Sequence, residues 1–163
     1  MQERKNNTNC PFCASEIKDS SFFESENFLA VYNIAPILPG HTLVIPKKHI
    51  TSFFQLSDKD LFEYIKFSRS VTKILSKVFD TEAFNWSLQE KDEAGQSVAH
   101  MHIHIIPRKP GDLTNSGDWY PMLKNNIDNI LDSNKREKLK PDQLKVIIEK
   151  LKNVSAEVLK EIT

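Results

Sequence analysis

Three histidines stand at alternate positions within Gly95–Arg108, GQSVAHMHIHIIPR, separated by apolar residues. A two-residue period is that of a β-strand, so His100, His102 and His104 are expected on one face and Met101, Ile103 and Ile105 on the other. Imidazoles repeated every roughly 6–7 Å along a strand are costly to bury without partners, so this face asks for metal, phosphate or catalysis. As metal ligands, two histidines spaced i, i+2 could chelate one zinc through parallel rings. A three-histidine zinc site would leave the polar pair Gln96-Ser97, just upstream, without a task. As a nucleophile, a neutral imidazole can attack phosphorus and form a phosphoramidate that water then cleaves. Charge developing on the phosphoryl oxygens then needs preorganised donors, which Gln96, Ser97, nearby backbone N–H groups and the outer histidines can supply.

A second set of reactive residues lies near the start. Cys10 and Cys13, the only cysteines, form a C-x-x-C, a spacing that in a reducing compartment points to a metal site or a redox pair rather than a structural disulfide. Two thiolates need two further ligands to close a tetrahedral zinc site.

The elements that must position these residues are short. Phe22–Glu24 and Phe28–Asn33 are β-prone runs separated by Ser25-Glu26-Asn27, a hairpin signal. Pro36, Pro39 and Gly40 break the chain before a strand over His41–Pro46, which Pro46 ends. Ser57 caps a helix, with Asp60 reaching back and Leu56 stapling to Leu61. Its stripe is read as Leu61, Ile65, Ser68, Thr72, Leu75 and Phe79. Phe84, Trp86 and Leu88 alternate with Asn85, Ser87 and Gln89, giving a strand with one polar face. The histidine strand follows and Pro107 ends it. A second amphipathic helix spans Asp142–Ile162, capped by Asp142, with Leu144, Ile148, Leu151, Val158 and Ile162 to one side. This order predicts an α+β fold, an antiparallel meander with helices on one face.

Length and charge narrow the function. The 163 residues make one domain able to bury a core, and 22 basic residues balance 22 acidic ones without a long basic block, which argues against a nucleic-acid groove. The polar start contains no signal-like apolar run and no later window reaches membrane-spanning length, so a soluble, cytoplasmic protein without a membrane or nucleic-acid partner is expected. The lysine-rich C-terminal helix carries mixed charge and reads as a solvated face.

The motif His100-Met101-His102-Ile103-His104-Ile105 resembles the signature of the histidine-triad family. The similarity runs over roughly residues 22–118, through Asn33, Pro39-Gly40-His41, Ile45-Pro46-Lys47-Lys48-His49, Gly95-Gln96 and the triad. Gln89, then Ala94-Gly95-Gln96-Ser97-Val98 and Pro107-Arg108-Lys109-Pro110-Gly111-Asp112, look most like the fragile-histidine-triad branch of dinucleoside polyphosphate hydrolases. That resemblance implies a five-stranded antiparallel sheet with a C-terminal helical extension. It implies an N-terminal zinc knuckle over residues 1–21, a triad domain over 22–118 and the extension over 119–163.

The same resemblance implies roles. His102 would be the nucleophile on the α-phosphate, His104 would bond the phosphate, and His41 would buttress the triad. Gln96 would assist catalysis and, with Ser97, hold phosphate oxygens; Gly95 and Val98 belong to the same binding segment. Asn33 would meet the ribose and Gln89 the phosphate chain. A histidine at 104, where related transferases carry glutamine, favours hydrolysis. Zinc-bearing members imply a structural zinc on Cys10, Cys13, His49 and His100, although animal enzymes of the branch generally lack the cysteine pair. The resemblance also implies a homodimer joining two sheets, and the polyphosphate could bring Mg²⁺. Trp119 or Tyr120 would lie near the site mouth or pack in the core. The alternatives are a nucleoside phosphoramidase or broad nucleoside-phosphate hydrolase, a nucleotide-binding signalling module with slow turnover, and a zinc-only protein using all three histidines on metal.

Overall fold

The computed structural model describes residues 10–119 and 136–162. Five antiparallel strands form one sheet: β1 (Ser21–Glu24), β2 (Phe28–Tyr32), β3 (Thr42–Pro46), β4 (Ala83–Leu88) and β5 (Ile103–Arg108). Among the described residues, helices α1 (Asp58–Phe79) and α2 (Pro141–Ile162) accompany the sheet in an α+β fold. Among the described residues no helix is long and apolar enough to cross a membrane.

The strand order is β1-β2-β3-β5-β4, so the sheet is not the simple meander expected. Burial explains the exchange. Every residue of β5 is buried, as suits an interior strand, whereas Phe84 and Leu88 of β4 are exposed, which an edge tolerates.

One face of the sheet carries the main core. Phe28, Ala30, Tyr32, Val44, Ile103 and Ile105 pack there against Tyr64, Phe67, Val71 and Ile74 of α1 and Ile148, Leu151 and Val158 of α2. The α1 stripe is thus rotated from the expected one: Ser68, Thr72 and Leu75 are buried, but Ile65 is exposed and Leu61 and Phe79 are only partly covered. The aromatic Tyr64 and Phe67 set the facing side, since they fill the space that Phe23 and Phe28 leave. Ser57 caps α1 as predicted, accepting the Asp60 N–H at 3.2 Å; the Asp60 carboxylate takes the Ser57 hydroxyl instead of reaching the backbone.

Helix α2 starts at Pro141, so Asp142 is not the cap but a first-turn acid at the positive end of the helix. The Ile162 side chain lies outside the described residues. The other sheet face bears Leu29, Val31, Leu43 and Ile45, covered by Phe12 and Ile17 of the cysteine segment, which contains a 3-10 turn at Ser15–Ser20.

Regular pairing begins only at Ile103, so His100 and His102 precede the strand that was expected to carry them. The buried Tyr64 hydroxyl supplies the reason. It accepts the Ile103 N–H at 3.0 Å and donates to Val44 O at 2.7 Å, standing between β3 and the start of β5. The Met101 N–H turns instead to Ile50 O at 2.7 Å. Pro107 lies inside β5 rather than ending it. Pairing with β3 stops at Ile105, so no β3 partner stands opposite Pro107 to miss its absent N–H. Gly40, at φ +90°, lets the loop before β3 close over this proline: an added Cβ would lie 2.7 Å from Pro107 Cγ.

Candidate active site and metal centre

The alternation survives without the ladder. Met101, Ile103 and Ile105 enter the helical core, while the three histidines lie among different, polar partners. His102 Nδ1–H donates to His100 O at 2.7 Å, which leaves Nε2 as the ring's lone-pair nitrogen. Burial holds the His102 pKa below its ordinary value, so the ring is neutral and able to act as a nucleophile.

His104 is oriented by a relay. The Ile37 N–H can only donate, and it meets His41 Nδ1 at 3.2 Å; Asn33 Nδ2 stands 3.4 Å from the same atom. His41 therefore carries its proton on Nε2 and donates it to His104 Nδ1 at 2.9 Å. His104 in turn carries its proton on Nε2 and becomes a donor. Burial, then the Arg136 guanidinium and His102, push His41 down to about 3. Burial and the neighbouring His102, His41 and Arg136 hold His104 well below its usual range.

His102 and His104 line a 260 Å³ cavity with Asn33, Gln89, Gly95, Ser97 and Val98, so most of the predicted binding residues converge. Gln96 is buried nearby in sequence, its Oε1 accepting the Lys91 N–H at 2.8 Å. Asn33 Oδ1 accepts the Ala35 N–H at 3.0 Å, so part of its polarity shapes the turn. The cavity's apolar wall includes Phe12, Ile17, Val31 and Leu43. Among the described residues, Gln89 Nε2, Gln96 Nε2 and Arg136 Nε and Nη1 are buried donors without a hydrogen-bond partner. Gln89 and Arg136 line the cavity, so donors there are left over for the oxygens of a ligand, as an oxyanion site requires.

Cys10, Cys13, His49 and His100 form a separate cluster whose candidate ligand atoms all lie within 4.8 Å of one another. The Sγ···Nδ1 distances are 3.4 Å for Cys10–His100, 3.3 Å for Cys13–His49 and 3.6 Å for Cys13–His100. Bonds of about 2.3 Å to sulfur and 2.0–2.1 Å to nitrogen place the S···N edge of a zinc tetrahedron at about 3.6 Å, so the set fits that ion. His100 Nε2–H donates to Pro46 O at 2.9 Å, which turns the Nδ1 lone pair to the cysteines and fixes the ring from behind. Burial pushes His100 down to about 4, keeping it in the neutral form a metal needs.

Two participants were not anticipated. Phe12, inside the cysteine knuckle, sets its ring edgewise against His102 at 5.2 Å and His100 at 5.7 Å. Its position between two cysteines was the available signal. Arg136 gave none, since it lies among lysines in a lysine- and asparagine-rich stretch. Conversely, Arg108 serves structure: it forks onto Asp112 at 2.9 Å and reaches Asn85 Oδ1 at 2.8 Å. Trp119 packs against Ile37 and Ile106, and Tyr120 lies outside the described residues.

A five-stranded antiparallel sheet with helices on one face and a histidine relay on the other defines a histidine-triad fold. The family model for the HIT domain matches residues 14–111, and the chain belongs to that family. It is 37% identical over 109 residues to a bis(5'-nucleosyl)-tetraphosphatase (asymmetrical) of Schizosaccharomyces pombe, covering 67% of this chain and 60% of that one. It is 33% identical over 99 residues to a bis(5'-adenosyl)-triphosphatase of Dictyostelium discoideum, covering 61% of this chain and 66% of that one. The match thus spans less than two thirds of either relative. A zinc-bound histidine triad family protein of Mycobacterium smegmatis shares the fold, with TM-score 0.70 and 22% identity over 94% of this chain and 98% of that one.

Proposed function

We propose that the protein hydrolyses dinucleoside polyphosphates at the α-phosphate through His102, in the manner of the fragile-histidine-triad branch. The observation that carries this reading is a neutral His102 with its Nδ1 proton anchored, in a pocket with unpartnered buried donors. His102 Nε2 attacks the α-phosphorus, the P–O bond to the rest of the substrate breaks, and the departing nucleotide leaves with the electron pair. Water then attacks the same phosphorus, breaks the P–N bond and releases a nucleoside monophosphate. His104 Nε2–H and the Gln89 and Gln96 amides stabilise the phosphoryl oxygens; His41 fixes the tautomer that makes His104 a donor. Exposed Ser97 is an added donor, Gly95 and Val98 shape the rim, and Asn33 contacts the ribose. The wall of Phe12, Ile17, Val31 and Leu43 receives the base.

Zinc fits the Cys10, Cys13, His49 and His100 cluster as a structural ion. When bound it supplies rigidity, tying the N-terminal segment to the chain just before His102. Mg²⁺ would arrive with the polyphosphate, since the cysteine–histidine cluster is the only ligand group of three or more found among the described residues. A homodimer would join through a sheet edge, for which β4 with exposed Phe84 and Leu88 is suited. Residues 1–21, 22–118 and 119–163 would act as knuckle, catalytic domain and extension in a cytoplasmic enzyme. With diadenosine triphosphate, AMP and ADP are the expected products, and His102→Asn lowers kcat by several orders of magnitude while keeping nucleotide binding. Undiminished hydrolysis by that variant contradicts the proposal.

A further inference from the structure

Arg136 is brought to the cavity from a distant part of the chain. It shares the lining with His102, His104, Gln89 and Ser97, yet stands just before α2, outside the residues matched to the HIT domain. Its position is anchored. Leu139 donates its N–H to Ile34 O at 2.8 Å and packs against the main core, and Ile34 itself lines the cavity beside Asn33. The guanidinium is partly buried, and its Nε and Nη1 have no hydrogen-bond partner among the described residues. Glu16, a carboxylate on the same cavity wall, is exposed and accepts the Ser15 hydroxyl at 3.0 Å, with no ion pair to Arg136 among the described residues.

A single phosphate at the attack position has donors enough in His104, Gln89, Gln96 and the nearby backbone. The guanidinium adds a full charge and a rigid fork of N–H groups, the geometry that matches another oxyanion. We propose that Arg136 is a specificity-determining substrate-binding residue that holds the β-phosphate of a polyphosphate chain, selecting substrates with two or more linked phosphates over nucleoside phosphoramidates and other single-phosphate esters. This rests on the reading of the cavity as a nucleotide site with the attacked phosphate at His102.

The test compares ADP and AMP binding by calorimetry in the wild-type protein, Arg136→Gln and Arg136→Lys, with thermal melting as the folding control. Wild type is expected to bind ADP more tightly than AMP. Arg136→Gln should weaken ADP about tenfold or more, the scale of a lost charged hydrogen bond, and change AMP by no more than about twofold; Arg136→Lys should recover part of the ADP affinity. Equal losses for ADP and AMP, or no loss in Arg136→Gln, overturn the assignment. Kinetics separate this from the hydrolase reading. If wild type leaves diadenosine triphosphate intact but Arg136→Gln still abolishes the preference for ADP, the hydrolase reading fails and the β-phosphate assignment stands. If wild type cleaves it and Arg136→Gln lowers kcat/KM equally for diadenosine triphosphate and an adenosine phosphoramidate, the assignment fails alone.

Discussion

Each triad histidine has its proton placed by a partner that cannot exchange roles with it. Carbonyl oxygens take the Nε2 proton of His100 and the Nδ1 proton of His102, and the Ile37 amide forces the His41–His104 relay. Three rings of one type thereby acquire three lone-pair directions, and only the rings themselves were legible in the sequence. Their partners are backbone groups, which carry no residue identity to read. The same holds for Arg108: its motif stood out, but its forked bond to Asp112 had to be seen. That bond, then burial acting against it, holds the Asp112 carboxyl down at about 2, from an ordinary 3.8. A depressed carboxylate stabilises the fold above its unfolded pKa, and the benefit is lost as pH falls from about 4 through about 2. Screened by solvent, it contributes about 1 kcal/mol or less. The melting-temperature gap between wild type and Asp112→Asn should therefore be largest near neutrality and shrink below about pH 4; a gap independent of pH would refute the sign.

At the scale of elements, strand identity followed from β-prone runs between breakers and, for β4 and β5, from two-residue alternation, while strand order did not. Pattern within β4 and β5 says which faces are apolar, but the choice of edge depends on how completely each strand is buried by others. The late start of β5 was also hidden, because it depends on one hydroxyl from α1. Tyr64 bridges Ile103 N–H and Val44 O in a fully buried position. Tyr64→Phe keeps the ring but leaves a buried donor and acceptor unpaired, a loss of about 1–3 kcal/mol. Urea unfolding should show a lower midpoint with an unchanged slope. Since Ile103 adjoins His102, kcat should fall as well; an unaltered midpoint would mean that water replaces the hydroxyl.

At the scale of the molecule, the N-terminal segment and the extension approach the triad from opposite ends of the chain. The cysteine segment lays Phe12 on His102 and Ile17 over the sheet, and the chain before α2 delivers Arg136. The cysteine pair stood out in the sequence and its meeting with His49 and His100 was implied by the family resemblance, whereas Phe12 on His102 was not anticipated. Arg136 was not legible either, because a cation among lysines has no distinguishing pattern. Zinc bound at Cys10, Cys13, His49 and His100 would couple the first approach to His102, the proposed nucleophile. Cys13→Ala should remove stoichiometric zinc, lower the melting temperature and reduce kcat through loss of Phe12 packing. Elemental analysis of protein purified without chelator, beside the melting curve, checks this, and an unchanged metal content would dismiss the site.

The proposed chemistry turns on one bond, between His102 Nε2 and phosphorus. Rapid acid-free quenching of the protein with diadenosine triphosphate, followed by peptide mass spectrometry, reads that bond directly. An AMP adduct on His102 that forms before AMP is released, and is absent in His102→Asn, is the expected result. Release of AMP in a single turnover with no adduct, or with the adduct on another residue, would contradict it.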